Sequence, residues 1–438
     1  MAKREKIIAD TKKYIDTLSP KKFIPGETYI TASGQTFDGD DVASIVECAL
    51  GQWYAEGKYA REFERSLVDY YHNTVRNVAL CNSGSSANLL AITTITDPVF
   101  GQRRAKPGDE VITVAAGFPT TINPIIQNGL VPVFVDVDLS TFTPDMEVIE
   151  NAIVEGRTKA VVLAHPLGNP FDANTLRDIC DEYNIFLIED SCDGLGGTFA
   201  GTKVGAFGDL STLSFYPAHH ITAGEGGAVL IRNNPMLTKI VKSFRDWGRD
   251  CWCEPGKDNT CGKRFNWDFE ELPHGFDHKY VYEHIGYNLK MSDLNAAVGV
   301  AQMDKLPDFI VKRRQNHAAL KLSFQEAGFG EYFILPEATP NSDPVWFGFC
   351  LTIRDGMPFT RRDLVQYLES HQVGTRQLFG GNLLRHPAYA NLDYDKVGSL
   401  SNADKILMDS FWVGCHPAIG DAEIFHIVST FSNFLKSI

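Results

Sequence analysis

The stretch AVVLAHPLGNPFDANTLRDICDEYNIFLIED (160–190) decides the fold. It begins with one short apolar run, AVVLAH (160–165), and ends with another, IFLIED (185–190). Between them lie a Gly/Pro turn and a helix-length connection. Two β-branched runs joined by a crossover of that length read as parallel neighbours in a sheet, since a tight hairpin would return the chain antiparallel. The same unit recurs on both sides, with NVALC (77–81), EVITV (110–114) and PVFVDV (132–137) before it and LSTLSF (210–215) and AVLIR (228–232) after it. An α/β domain with a mostly parallel sheet is therefore expected.

Beyond Asn288 the pattern turns helical, and SDLNAAVGVAQMDKLPDFIVKRRQNHAALKLSFQEAG (292–328) reads as one or two long helices. From about Glu331 onward, strands and helices alternate as in a smaller α+β domain. The expected organisation is an N-terminal helical segment (1–45), a large cofactor-binding domain (46–300) and a small C-terminal domain (301–438). Within the large domain, residues 250–277 are rich in Gly, Pro, Cys, Trp and charge without any period, and read as an inserted loop.

The bulk numbers exclude several functions. The 438 residues carry a formal charge of -14, which argues against a nucleic-acid surface, because neutralising phosphates takes clustered Lys and Arg. A small anionic ligand remains compatible. The start, MAKREKIIADTKKYID, is a charged helical pattern with no apolar signal core, and no apolar run approaches the roughly 20 residues of a membrane span. A cytoplasmic protein is expected. In that reducing compartment nine cysteines do not form a disulfide framework, and Cys48, Cys81, Cys180, Cys350 and Cys415 read as buried small hydrophobes.

Several segments carry chemistry. In NSGSSANLLAI (82–92) a strand gives way to a Ser/Gly turn and an apolar helix; free amides at a helix N-terminus beside hydroxyls suit a phosphate, although the same letters also make a well-capped helix. Asp190 closes an apolar strand at the edge where open α/β sheets bind ligands. A carboxylate there can hold a protonated pyridine nitrogen, or simply cap a turn. The loop RDCWCEPGKDNTCGKRF (249–265) places Cys251, Cys253 and Cys261 in a C-x-C-x7-C pattern. Crowded thiols in an irregular loop point to a soft metal centre. The spacing departs from the C-x2–4-C pairs of zinc sites and suggests iron–sulfur, whose clusters take four thiolates; Cys192, beside Asp193, is the expected fourth ligand.

The ordered set NSGSSANL, AAGFPTTINPI, IEDSCDGLGG, SFYPAHHITAGEGG and IGYNLKMSDLNAAVG resembles the sugar aminotransferase and dehydrase family of fold-type I pyridoxal-phosphate enzymes, over most of the chain. The resemblance implies a large mostly parallel-sheet domain, a smaller C-terminal α+β domain, and a homodimer with its active site at the subunit interface. It also implies roles. Gly84, Ser85 and Ser214 bind the cofactor phosphate, and Asn288 reaches that phosphate across the interface. Phe118 stacks on the pyridine ring, and Asp190 pairs with the ring nitrogen. Read apart from the ensemble, Phe118 is a core aromatic and Asn288 a turn residue.

One departure sets the reaction. Aminotransferases of the family carry a lysine in the frame S-F-x-x-x-K-x-x-x-x-G-E-G-G; here Ser214 and Phe215 are followed by His219 at the lysine position, then Gly224, Glu225, Gly226 and Gly227. Imidazole moves protons but forms no stable Schiff base with the cofactor aldehyde. The cofactor is then expected as noncovalently held pyridoxamine phosphate (PMP), with His219 as the base; His220, one residue off the frame, is the weaker candidate. Asp193, where the aminotransferases carry Gln or His, and Tyr216 are expected to face the cofactor or the leaving hydroxyl. A plain hydrogen-bond substitution is the simpler reading of both.

The lysine-to-histidine change together with the cysteine set is similar to the CDP-4-keto-6-deoxyglucose 3-dehydrase branch of the family. That similarity implies PMP and a [2Fe-2S] cluster, a nucleotide-linked 4-keto-6-deoxyhexose as substrate, electrons from a separate NADH-dependent flavin/iron–sulfur reductase, and a 3,6-dideoxyhexose precursor for bacterial surface polysaccharide as product. The competing readings are a cluster-free GDP-4-keto-6-deoxymannose 3-dehydrase, a TDP-sugar 3-dehydrase, and a non-catalytic homologue that binds the cofactor.

Overall fold

The computed structural model describes residues 2–18, 22–72, 74–253 and 255–438. Each apolar run named above lies on a strand. These are β1 (Val75–Cys81), β2 (Glu110–Val114), β3 (Val131–Val135), β4 (Thr158–Ala164), β5 (Phe186–Asp190), β6 (Leu210–Ser214) and β7 (Gly227–Arg232). They form one sheet in the order β1-β7-β6-β5-β4-β2-β3, extended past β3 by the short strand Asp395–Lys396. Only β7 is antiparallel to its neighbours among these eight strands. Every residue of β2, β5 and β6 is buried, the result of helices covering both faces, and this explains why their sequences run apolar instead of alternating. The segment 395–396 caps the outer edge of β3, satisfying backbone groups that an open edge would leave unpaired.

Five helices precede or interleave with the first strands: α1 (Ala2–Asp16), α2 (Gly39–Leu50), α3 (Lys58–Tyr70), α4 (Gly84–Thr94) and α5 (Pro119–Gln127). The helical stretch after Asn288 is two helices. Ser292 caps Asp293–Met303 by accepting from Asn295 N, and Leu306–Glu326 restarts with a proline in its first turn. The second packs Leu320 and Phe324 into a core of Phe333, Phe349, Phe411 and Phe431. There an antiparallel sheet runs in the order Phe333–Ile334, Gly348–Ile353, Ser410–Gly414, Thr375–Arg376.

Residues 250–277 carry no helix or strand among those described; position 254 lies outside the described residues. The loop is pinned at its ends. Asp250 N donates to Val281 O (3.0 Å), and Asp250 meets buried His278 (2.6 Å) and Lys239 (2.6 Å). A second tie joins Arg264 to Asp277 (2.8 Å). No described helix is long and apolar enough to cross a membrane.

Candidate active site

The carboxyl ends of β4, β5 and β6 open into a cavity of about 350 Å³. It collects Gly84, Ser85, Phe118, Asp190, Cys192, Asp193, Ser214, Tyr216 and His219, residues that lie up to 135 positions apart in sequence and converge because parallel strands deliver their ends to one edge.

At one end is the start of α4. Ser83 Oγ accepts from Ser86 N (3.1 Å), so the cap leaves the N–H groups of Gly84 and Ser85 free toward the cavity, at the positive end of the helix. Ser85 Oγ donates to Thr120 Oγ1 (3.1 Å), in the first turn of α5. Gly84 has no room for a side chain: a Cβ there would lie 2.5 Å from Ser214 Cβ and 3.0 Å from Cys192 Sγ. Backbone amides, three hydroxyls and a glycine that admits close approach make a cradle that fits a phosphate.

Asp190 is buried at the tip of β5. Its Oδ2 accepts from Asn88 Nδ2 (2.8 Å) and Thr121 Oγ1 (2.6 Å), and its Oδ1 accepts from Cys192 N (3.2 Å). Thr212 in turn donates to Asn88 Oδ1 (2.6 Å). Thr212 Oγ1 also reaches Oδ1 (3.5 Å), so the carboxylate is fixed, and the bonds to Oδ1 are the longer ones. Phe118, 45% exposed and edge-on to Phe379 at 6.0 Å, offers the cavity an aromatic plate. Cradle, fixed carboxylate and plate together fit a phosphorylated pyridine.

His219 occupies the far wall, its Nδ1 3.3 Å from Asp193 Oδ1 but outside hydrogen-bond geometry, and both His219 Nδ1 and Asp193 Oδ2 are buried without a partner among the described residues. Two unpaired polar atoms on residues that line the cavity call for an explanation, and a ligand's polar groups supply one. His220 turns away: its Nε2 donates to Val345 O (2.8 Å), and burial holds its imidazole well below the ordinary value, so it stays a neutral structural donor. Tyr216 stands at the mouth, half-exposed. Sequence reading missed Arg313, which reaches from the helix Leu306–Glu326 to the carbonyls of His219 (3.3 Å) and Phe347 (3.3 Å) and so ties the His219 turn to a neighbouring segment. It also missed Asn88 and Thr121, which lie within NSGSSANL and AAGFPTTINPI but were not singled out there, and Arg376 and Gln377, which lie in no motif and reach the cavity by folding alone.

Other expected residues lie elsewhere. Asn288 is outside the cavity, bridged to Asp246 and accepting from Lys290 Nζ (2.9 Å). Cys251 is close enough to Cys253 and to Cys261 to interact with each. Burial works to raise the Cys253 thiol, but the hydroxyl and N–H of Thr260 outweigh it and hold it below its ordinary value. Cys192 faces Gly84 and Asp190 instead, and burial pushes its thiol well up. No three His, Cys, Asp or Glu side chains converge to hold a metal ion among the described residues. Cys192 follows the end of β5, while the loop is tied through Asp250 to Lys239 of the helix Pro235–Arg245 and to His278.

The doubly covered sheet, with its cofactor-shaped cavity at the strand ends, defines a pyridoxal-phosphate enzyme fold of type I. Residues 35–432 match the DegT/DnrJ/EryC1/StrS aminotransferase family, and the chain belongs to it. It is 49% identical to the lipopolysaccharide biosynthesis protein RfbH of Salmonella typhimurium, covering 96% of this chain and 94% of that one. It is 48% identical to dTDP-4-dehydro-2,6-dideoxy-D-glucose 3-dehydratase of Saccharopolyspora spinosa, covering 99% and 92%. Among solved structures, Escherichia coli GDP-4-keto-6-deoxy-D-mannose-3-dehydratase with bound hydrated PLP superposes with a TM-score of 0.81 at 26% identity, covering 92% of this chain and all of that one.

Proposed function

We propose that the protein dehydrates a nucleotide-linked 4-keto-6-deoxyhexose at C3, using PMP, as the first half of a deoxygenation leading to a 3,6-dideoxyhexose. The observation that carries the reading is His219 facing the cavity at the family's lysine position, with Asp193 3.3 Å away. Bound in the cradle, PMP supplies an amine for the sugar ketone and an electron sink that eases loss of the neighbouring hydroxyl.

The chain's own residues do the rest. The amides of Gly84 and Ser85, with Ser214, hold the phosphate, and Asp190, fixed in place by its donors, holds the ring N–H. Phe118 covers one ring face. His219 takes a proton from the cofactor's methylene carbon and returns one to the sugar side, a transfer an imidazole can make in both directions. Asp193, 3.3 Å from the imidazole, places a carboxylate beside the charge that develops as the hydroxyl departs. Asn288, outside its own cavity, is assigned to the phosphate of the second subunit in a homodimer.

A [2Fe-2S] cluster and an NADH-dependent flavin/iron–sulfur reductase belong to the proposal on the donor chemistry of the loop, where Cys251 interacts with Cys253 and with Cys261. CDP-4-keto-6-deoxyglucose is the proposed substrate, on the cysteine spacing and the histidine together. The relatives named as 3-dehydratases of dTDP- and GDP-linked sugars support C3 dehydration and leave the nucleotide to experiment.

The deciding experiment incubates the protein with PMP, a reductase, NADH and a panel of nucleotide-4-keto-6-deoxysugars, with products read by mass spectrometry. A 3-deoxy ketosugar is expected; an amino sugar overturns the reading.

A further inference from the structure

A second depression, of about 550 Å³, adjoins the cavity. Arg376 and Gln377 line both. Arg361, Arg362 and Gln366 line the second alone, so three guanidiniums share one groove in a chain whose formal charge is -14. Arg361 feels the charge of Asp409, which is itself paired with Lys405 (3.0 Å), and Arg376 also bonds the Tyr29 side chain. Arg361 spends its Nη1 on the carbonyls of Leu407 (2.6 Å) and Ser410 (3.2 Å), and Arg376 spends its own on Thr375 O (2.7 Å).

The acids nearby are committed. Asp363 folds back on Thr360, accepting from its N (2.9 Å) and its Oγ1 (2.7 Å). Glu369, which also lines the groove, accepts from Tyr29 OH (2.8 Å), Thr375 N (2.7 Å) and Thr375 Oγ1 (2.8 Å). Arg361 and Arg362 are moreover the first two residues of the helix Arg361–Ser370, so the helix dipole adds to their charge.

We propose that this groove is the subsite for the diphosphate of the substrate, with Arg376 and Arg362 gripping its oxygens. The inference rests on the nucleotide-sugar reading above. A sugar held against His219 leaves its diphosphate at the cavity mouth, and Arg376 is the single Lys or Arg lining that cavity among the described residues. Guanidinium forks match phosphate oxygens in pairs.

The test is calorimetric titration of PMP-loaded protein with CDP, dTDP and GDP, and with cytidine and thymidine as uncharged probes, for the natural chain, Arg362→Gln, Arg376→Gln and Arg376→Lys. At least one diphosphate binds the natural chain, and each glutamine variant weakens it by about tenfold or more, with Arg376→Lys intermediate and PMP retention unchanged. Binding to the natural chain also falls as salt rises, and the glutamine variants flatten that fall. Equal diphosphate affinity in the natural chain and both glutamine variants overturns the groove and leaves the dehydration reading standing. Failure of the natural chain to bind any of the diphosphates overturns both.

Discussion

At position 219 an imidazole stands where the family's aminotransferases carry an amine, and the consequences are chemical before they are structural. His219→Asn keeps the cavity's shape and removes the proton carrier. Turnover falls by about 10²–10⁴-fold while PMP affinity stays within a few-fold, read by single-turnover kinetics and by fluorescence titration of the cofactor. His219→Lys restores an amine and gives a borohydride-reducible covalent link to pyridoxal phosphate, detected as a mass increase on the intact chain. A variant that dehydrates at the natural rate removes His219 from the role of base. Its neighbour behaves differently: His220→Ala strips a buried donor from Val345 O and costs stability, about 1–3 kcal/mol by denaturant unfolding. His219 and Asp190 were legible in the sequence because each sits in a fixed frame of neighbours. Arg313 was not, since an arginine in a helical pattern reads as solvated charge, and only the packing of residues 346–347 against it puts it in the interior.

Elements explain what single residues leave open. The α4 N-terminus works as a phosphate cradle because β6, β7 and the start of α4 approach one another closely; Gly227 likewise has no room for a Cβ, which would lie 2.3 Å from Ser83 O. Gly84→Ala forces Ser214 and Cys192 apart, so PMP binding weakens by more than tenfold, with a loss of about 1–3 kcal/mol in stability; equilibrium dialysis and thermal unfolding read the two effects separately. The Cys loop was legible as an insertion because it lacks any period. Where it lies relative to Cys192 was not, because spacing along a chain says nothing about which element a loop is pinned against. Anaerobic reconstitution with iron and sulfide tests the thiols directly: about two irons per chain are expected, lost in Cys253→Ser and Cys261→Ser. Iron binding that survives both substitutions removes the loop from the cluster.

Across the whole molecule, buried His220 and His416 flank Arg313, with buried His317 one turn along the same helix, where the N-terminal segment, the cavity wall and the C-terminal sheet meet. His220, His317 and His416 are all held below their ordinary value, burial being the first cause in each. Arg313 adds repulsion at His220 and His416. His416 lies 3.0 Å from Thr31 O and is lowered to about 4. The unfolded chain binds a proton near 6.5 that the folded chain refuses until about pH 4, so the stability this histidine contributes is complete above pH 6.5 and is lost as the pH falls through that window. The shift is worth about 3 kcal/mol in full, of which about 2 kcal/mol is gone by pH 5. His317, stacked on Trp346 at 4.0 Å with no partner for its Nε2 among the described residues, steepens the same fall. Urea midpoints therefore drop between pH 7 and pH 5, and His416→Gln, which cannot take up a proton, flattens part of that drop while lowering stability at pH 7. A natural chain whose midpoint is level from pH 7 to pH 5 has its histidines exposed, and the junction that holds Arg313 against the His219 turn is then not packed as described.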